Sequence, residues 1–409
     1  MKDLLRKTIM KAVIAASFLV VSFTLQAQDE TQQKAMEIYG FIMMDAGYNA
    51  NQIHPDWFDV VRPTKLPSFK NEFGTDGNFF MSVRQTRLGF KNYFQTGLGE
   101  LRTQFEFEMF GTGVDAGQTT IRLRHAYAEL GQWCVGQYWS PFMDIDVFPN
   151  TVEYWGPTGM AFFRNVQVRY MPIQGDSRLT IALERPGASA DQGIYSDRVE
   201  LANVKPKFSV PDLSAEYRFG RPWGYVELAG IARRMEWEDQ DPTGPDLSGD
   251  ALGWGLNLST NIKIGKKVTF RGSALYGEGV ENYMNDAPVD VGIKTTGTPP
   301  NLIVEGVALP VTGLVGFFDI NWNEKFSSSI GYSSIDIENS NAQAGSAFSK
   351  GQYAIGNLMW YPVKNAMMGV ELQYGDRENF NDGWSTEIVK VQFSFKYNFS
   401  QTFYNKANK

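Results

Sequence analysis

The C-terminal part of the chain contains a segment, EIVKVQFSFKYNF (387–399), in which apolar and polar residues alternate from Val389 onward. Successive side chains of a β-strand point to opposite faces, so this alternation predicts a strand with one apolar and one polar face. The apolar face carries Val389, Val391, Phe393, Phe395, Tyr397 and Phe399, and the polar face carries Lys390, Gln392, Ser394, Lys396 and Asn398. A soluble β-sandwich or a membrane β-barrel could use such a strand.

The same alternation recurs in LRTQFEFEM (101–109) and in LGWGLNLSTNIKI (252–264). In both segments one face is apolar, and the other carries small, polar or charged residues. A soluble barrel of this perimeter would need an apolar and packed interior. The polar faces therefore favour a water-filled interior and an apolar outer surface that contacts lipid.

The connections between the predicted strands alternate between short turns and long loops. The short turns are rich in Gly, Pro, Asn and Lys and lie at 95–99, 130–133, 172–177, 220–224, 265–267, 323–326 and 362–366. The long connections span 50–78, 111–118, 140–160, 187–212, 238–250, 281–311, 339–350 and 376–384. Short periplasmic turns and long external loops are typical of outer-membrane barrels, so we predict an all-β, transmembrane, antiparallel β-barrel of about 16 strands. Pairing of the last strand with EIYGFIMMDAGY (37–48) would close it and satisfy every backbone group within hydrocarbon.

The N-terminus has the order of a secretory signal. Basic residues precede the apolar stretch AVIAASFLVVSF (12–23), which is shorter than a membrane-spanning helix, and the small residue Ala27 follows it. We expect cleavage near Ala27 and delivery of the mature chain to the bacterial outer membrane. The predicted division of the chain is a signal peptide (1–27), a short periplasmic segment (28–36), the barrel domain (37–400) and a C-terminal tail (401–409).

Composition limits the possible partners. Loss of the signal peptide changes the formal net charge from −7 to −10, which argues against a nucleic-acid partner. Cys134 is the only cysteine, so no intramolecular disulfide can form. Aromatic residues near the predicted strand ends suit the two bilayer interfaces, although ordinary packing would also explain them. They are Tyr93, Phe94, Trp133, Tyr138, Trp139, Trp223, Tyr225, Trp322, Trp360 and Tyr361.

Four segments in the first half of the chain carry a family resemblance: IYGFIMMDAGYN (38–49), SVRQTRLGFK (82–91), RLRHAYAEL (122–130) and VGQYWSPF (135–142). In this order they resemble the trimeric porin superfamily and, within it, the DcaP-like outer-membrane channels. The resemblance implies a homotrimer of 16-stranded barrels in outer-membrane lipid. It also implies that each barrel has its own pore for small anionic solutes such as dicarboxylates.

The resemblance further implies that the loop after the fifth strand folds inward and narrows the channel. In this chain that loop is SPFMDIDVFPNTVEYWGPTGMA (140–161). The constriction residues would be Asp144, Asp146, Glu153, Tyr154 and Trp155. An ordinary external loop is the alternative.

The alternation of inward and outward positions along each predicted strand, which we call its parity, predicts which basic residues line the pore. They are Arg87, Lys91, Arg102, Arg122, Arg124, Arg169 and Arg271. Arginine suits carboxylate and phosphate because its planar group donates two parallel hydrogen bonds. A ladder of arginines opposite the acidic loop would favour anions. If the arginines instead pair with Glu106, Glu108, Glu184 and Glu371, the pore would be only mildly selective.

The alternation also bears on three other residues. Arg84 and Arg164 fall on the lipid-facing side, so we expect them above the bilayer, at a subunit interface or beyond a strand irregularity. His125 shares its side of the strand with Ile121, Leu123 and Tyr127, which favours a structural role.

Two other functional classes compete with a channel. A hydrolase needs a nucleophile, a histidine base and an orienting group, but the chain has only His54 and His125. These residues show no metal-ligand spacing with Cys134, so we predict no enzyme, no catalytic residue, no metal and no cofactor. A plugged adhesive barrel acting through its external loops, above all 281–311, is the other alternative.

Overall fold

The computed structural model describes residues 33–187 and 199–405. Within them lie β1 (Lys34–Asn49), β2 (Asn78–Ser82), β3 (Arg87–Thr96), β4 (Gly99–Phe110), β5 (Thr119–Leu130), β6 (Trp133–Trp139), β7 (Arg164–Ile173), β8 (Arg178–Glu184), β9 (Val204–Lys207), β10 (Asp212–Arg221), β11 (Gly224–Asp239), β12 (Gly249–Ile264), β13 (Val268–Glu278), β14 (Val291–Thr296), β15 (Ile303–Ala308), β16 (Pro310–Asn323), β17 (Phe326–Ile337), β18 (Phe348–Trp360), β19 (Ala366–Asn379) and β20 (Ser385–Tyr404).

All of these strands except β14 and β15 belong to one antiparallel sheet that closes on itself. The consecutive strands β2 and β3 both pair with β1, and β9 and β10 both pair with β11, so each couple forms one interrupted wall strand. The wall therefore has sixteen strands. The first and last pair from Asn49 with Lys390 to Lys34 with Tyr404. The predicted all-β, sixteen-stranded barrel is confirmed.

The two faces of the wall follow the alternation in the sequence. On β20, Val389 and Phe393 are exposed, whereas Lys390, Gln392 and Ser394 are buried. Because the apolar residues point away from the barrel axis, the outer surface suits hydrocarbon and the inner surface is largely polar. Among the described residues, no helix is both long and apolar enough to cross a bilayer.

The strands reach slightly further than the sequence predicted. Pairing begins at Lys34 rather than Glu37 and ends at Tyr404 rather than Ser400. The predicted external connection at 376–384 shrinks to 380–384 because β19 and β20 continue beyond it. The predicted signal peptide lies outside the described residues.

The loop between β13 and β16 contains the hairpin of β14 and β15, in which Val291 pairs with Ala308. The hairpin packs on the external end of β11, where Trp237 and Met235 form a buried apolar cluster with Val291. This loop therefore has its own ordered structure at the external rim.

A β-bulge in β5 changes the predicted parity of that strand. Glu106 pairs with His125, but the next residue, Phe107, pairs with Leu123, so Arg124 is an extra residue. Both Arg124 and His125 consequently face the interior and are buried. The prediction that His125 shares its side with Ile121 and Leu123 is wrong, whereas His125 and Tyr127 do lie on one side.

Arg84 and Arg164 also lie inside the barrel, although parity predicted the lipid-facing side. Arg84 falls in the break between β2 and β3, the kind of irregularity that the sequence left open, and its Nε donates to Asp59 at 2.9 Å. Arg164 is the first residue of β7, and its guanidinium lies over Trp139 at 5.4 Å from the ring centroid. Parity fails where a strand is interrupted or begins.

The predicted aromatic girdle is only partly correct. Trp133, Trp223, Trp322 and Trp360 are exposed on the outer surface. Tyr225, in contrast, is buried and donates to Asp144, and the Tyr361 hydroxyl lies 3.4 Å from an amide of Asn150. Those two aromatic residues belong to the interior.

Candidate functional site

Residues 140–163, which connect β6 and β7, form a segment inside the barrel that we call the inner loop. Its first anchor is Asp144, which accepts hydrogen bonds from Arg218 at 2.7 Å and from Ser259 at 2.7 Å. The neighbouring Asp146 accepts from Arg218 at 2.5 Å. Since Arg218 and Ser259 lie on β10 and β12, these contacts fix the start of the inner loop to that part of the wall.

The second anchor lies at the tip of the inner loop. The Glu371 carboxylate of β19 accepts the backbone N–H groups of Val152 at 3.0 Å and Glu153 at 3.2 Å. Glu153 in turn accepts from the backbone of Val61 at 3.1 Å and from the hydroxyl of Tyr353 at 3.2 Å. Burial raises the pKa of Glu153 to about 7. The tip is thus tied to β18, to β19 and to the first external loop.

The third anchor is Tyr154, which joins the tip to the opposite side of the barrel. Its ring stacks on Phe110 at a centroid distance of 4.0 Å. Its hydroxyl bonds the Glu108 carboxylate and accepts from Arg122 at 2.8 Å and Arg124 at 3.1 Å. The inner loop therefore spans the barrel interior from β10 and β12, through β19, to β4 and β5.

Three arginines and two glutamates of β3, β4 and β5 form what we call the charged wall: Arg87, Arg122, Arg124, Glu106 and Glu108. Arg124 donates to Glu106 at 2.8 Å and to Glu108 at 2.6 Å, and Arg122 donates to Glu108 at 2.7 Å. Arg87 lies further away, at 3.7 Å from Glu106 and 3.4 Å from Glu108. Three cations share two carboxylates, so the charged wall has one positive charge in excess.

The sequence left two arrangements open for these arginines. One was a ladder opposite the acidic loop, and the other was pairing with glutamates. Arg87, Arg122 and Arg124 adopt the second, because they pair with glutamates of the charged wall. The carboxylates of Asp144 and Asp146 pair with Arg218, and Arg271 of the predicted ladder contacts only the backbone oxygen of Asp146.

The other basic residues that parity predicted also lie on the inner face, each beside a polar partner. The side-chain partners are Glu129 for Arg102 at 2.9 Å, Glu37 for Lys91 at 3.6 Å, Gln167 for Arg169 at 3.0 Å and Asp319 for Arg271 at 2.5 Å. Arg169 also donates to the backbone oxygen of Trp139, and Arg271 to that of Asp146. Arg218 was missed, although the alternation in β10 contained the signal that would have found it.

The external side of the interior holds a cavity of about 620 Å³, which we call the external cavity. Five basic residues line it, and Asp56 is the only carboxylate among its described lining residues. The basic residues are Arg62, Lys65, Arg122, Arg164 and Arg377. Trp155 and Phe162 add an apolar side. Arg62, Lys65 and Arg377 come from distant parts of the chain, and no local motif marks them.

A smaller cavity of about 290 Å³ lies on the other side of the inner loop. Asn150 of the inner loop, Arg271, Asp319 and Ser327 line it. The inner loop thus separates two polar spaces.

Comparison with solved structures shows the same fold in bacterial porins. The outer-membrane channel DcaP of Acinetobacter baumannii aligns with a TM-score of 0.73 and 21% identity over 92% of this chain and 100% of that chain. An anion-selective porin from Comamonas acidovorans aligns with a TM-score of 0.57 and 9% identity over 90% and 100%. OmpT of Vibrio cholerae in its trimer form aligns with a TM-score of 0.53 and 13% identity over 89% and 99%.

A search of curated proteins gave no match. A family profile described as DcaP outer membrane protein matches residues 20–399, which is nearly the whole chain. The chain therefore belongs to the DcaP outer membrane protein family and folds as a β-barrel of the bacterial outer membrane.

Proposed function

We propose that the protein is a porin for passive uptake of small hydrophilic solutes and that it favours anions such as dicarboxylates. The external cavity carries this proposal, because five basic residues line it together with Asp56. The carboxylates of Asp286 and Glu108, which pair with Arg62 and Arg122, lie outside the lining. Arginine side chains bind carboxylates through paired hydrogen bonds, and clustered charge in a cleft concentrates counter-ions. An anion that enters from outside would meet this cavity before the inner loop.

The dimensions of the external cavity support a small solute. Pockets of roughly 300–1,000 Å³ accommodate small organic molecules, and 620 Å³ lies within that range. The excess positive charge of the charged wall lies next to the cavity, since Arg122 belongs to both. Selectivity in such a pore comes from charged side chains that face the solute path.

We further propose a homotrimer in outer-membrane lipid, with each barrel acting as a separate pore. Two fold neighbours support this proposal and the anion preference: OmpT of Vibrio cholerae has a trimer form, and the Comamonas acidovorans porin is anion-selective. Chemical cross-linking of the folded protein in detergent tests the trimer, and a single monomer band would contradict it.

Planar-bilayer recordings test the selectivity. We expect stepwise ionic current and a reversal potential that indicates anion preference in a salt gradient. Lys65→Glu, which reverses a charge in the external cavity, should shift the reversal potential toward cations. Lys350→Glu is the matched control, because Lys350 is exposed and pairs with Asp336 at 2.8 Å outside the cavity. Cation preference in the native protein would contradict the proposal.

Swelling of liposomes with a panel of dicarboxylates, phosphates and sugars would then identify the solute class.

A plugged barrel is the second candidate, since one observation favours it. Phe142, Met143 and Phe163 of the inner loop pack against buried apolar residues of the wall, including Phe317 and Ile355. If this packing blocked the interior, no stepwise current would be recorded. The same experiment therefore separates the two candidates.

A further inference from the structure

We propose that Arg87 and Lys396 form a second anion-binding station on the periplasmic side of the inner loop. The proposal rests on the proposed function and adds a specificity-determining residue, Lys396, to it. Both cations contact the ring of Phe41 on β1. The Arg87 guanidinium carbon lies 5.1 Å from the ring centroid, and the Lys396 Nζ lies 4.2 Å from it.

The strand pairing explains why the two cations converge. β1 lies between β3 and β20 in the wall, and it pairs Phe41 with Arg87 on one side and Met43 with Lys396 on the other. Lys396 belongs to the inward-facing polar set of β20, and the side chain of Arg87 is 23% exposed inside the barrel. Two cations from the strands on either side of β1 therefore reach the same aromatic ring.

The position of the inner loop places this pair on the periplasmic side. The Gln392 side chain of β20 donates to the backbone oxygen of Val152 at the tip of the inner loop. Lys396 is four residues closer to the periplasmic end of β20, which corresponds to about 13 Å along a strand. A solute that passes the tip would meet Arg87 and Lys396 next.

The charge balance of this region is positive. Within the described part of the chain, no carboxylate oxygen lies within 4.0 Å of the Lys396 amine. Asp45, an interior carboxylate of β1, accepts hydrogen bonds from the uncharged side chains of Gln85 and Ser394. Counting Asp45 and Lys396 together with the charged wall gives four cations against three carboxylates.

Conduction requires several sites that each bind weakly enough to release the solute. A carboxylate that leaves the external cavity would find two donors of positive charge at Arg87 and Lys396. A dicarboxylate could keep one end near Arg122 while its other end reaches this pair. The ring of Phe41 holds the two cations through cation–π contacts and gives an apolar surface for the carbon chain.

Single-channel recordings in succinate and in chloride test the station. We expect Lys396→Gln to lower the anion-to-cation permeability ratio by about twofold to fivefold, which is the range for one partly exposed charge. Lys396→Arg should retain the native ratio. An unchanged ratio in Lys396→Gln would overturn the station even if Lys65→Glu shifts the reversal potential, and the proposed function would still stand. A native channel without anion preference would contradict both the station and the proposed function.

Cysteine modification gives an independent measurement that does not depend on folding differences between variants. Lys396→Cys is folded and inserted first, and the recorded channel is then treated with a cationic or an anionic methanethiosulfonate. Cys134 is buried and gives no competing site. The cationic reagent should restore the anion preference and the anionic reagent should lower it further. Failure of both reagents to change the current would contradict a water-facing position of Lys396.

Discussion

Two sides of the barrel interior differ in what they present to the inner loop. The charged wall presents arginines and glutamates, and the inner loop touches it mainly through the hydroxyl of Tyr154. The side formed by β16, β17 and β18 presents apolar residues that pack against the inner loop. We call this side the packed wall; its buried residues are Val315, Phe317, Ile335, Tyr353 and Ile355.

The difference shows how one barrel can hold a folded segment and still keep a polar passage. Apolar packing on one side offsets the conformational entropy lost when the inner loop is ordered. The opposite side carries charged side chains, which remain hydrated or paired and can interact with a solute. Tyr154 links the two sides, and Glu108 fixes the arginines on the charged side.

The largest effect is expected when the charged wall loses a carboxylate. Glu108 is buried and bonds Arg122, Arg124 and Tyr154. Glu108→Gln leaves three arginines with a single glutamate, and breaking a buried ion pair on one side costs about 3–5 kcal/mol. We expect a decrease of that size in the free energy of unfolding, measured by urea titration in lipid vesicles with tryptophan fluorescence.

Glu129→Gln is the matched control for this change. Its partner Arg102 is 36% exposed, and Glu129 itself is 27% exposed. A solvated pair of this kind contributes about 1 kcal/mol or less. Equal decreases in the free energy of unfolding for Glu108→Gln and Glu129→Gln would show that the stability of the charged wall does not depend on Glu108.

An intermediate effect is expected when the link between the two sides is cut. Tyr154→Phe keeps the stacking on Phe110 but removes a hydroxyl that bonds three charged groups, a loss of about 1.5–3 kcal/mol. We expect a more mobile inner loop and more frequent brief closures in single-channel recordings.

Tyr361→Phe provides the comparison on the other side of the inner loop. Its hydroxyl contacts only uncharged groups, at 3.0 Å from Ser327 and 3.4 Å from Asn150. Removing such a bond costs about 1 kcal/mol. If Tyr361→Phe raised the closure frequency as much as Tyr154→Phe, the special role of the charged side would be wrong.

The sequence predicted the wall of the barrel well, but it predicted much less of what lies inside the barrel. Alternation on β20 and the order of short turns and long loops predicted the strand number and the outward face, because lipid imposes one rule on every strand. No comparable rule applies inside. Whether an inward residue such as Phe317 meets water or the inner loop depends on a segment that is distant in sequence.

Local irregularities and distant contacts account for the remaining differences. The extra residue Arg124 shifts the parity of β5, and nothing in its residue type indicates a bulge. The external cavity draws Arg62 and Lys65 from the first loop and Arg377 from β19, which only the folded chain brings together. Arg218 is different, since simple alternation in β10 predicts its inward position.

A further effect on closure is expected from protonation at the tip of the inner loop, where the packed wall meets a carboxylate. Burial raises the pKa of Glu153 to about 7; the nearby Glu371 carboxylate adds to this and the Lys390 ammonium opposes it. The docked tip therefore binds a proton more tightly than a released tip, in which Glu153 has its ordinary pKa near 4.5. Protonation therefore favours docking fully below that ordinary value, and this contribution is lost as the pH rises through about 7. The docking equilibrium constant changes by at most about tenfold per pH unit for one group.

We expect brief closures to become rarer as the pH falls from 8 to 5. In Glu153→Gln, the closure frequency should depend little on pH over the same range. Since Glu153→Gln keeps an oxygen that can accept the N–H of Val61, a native-like pH dependence in this variant would assign the titration to another group.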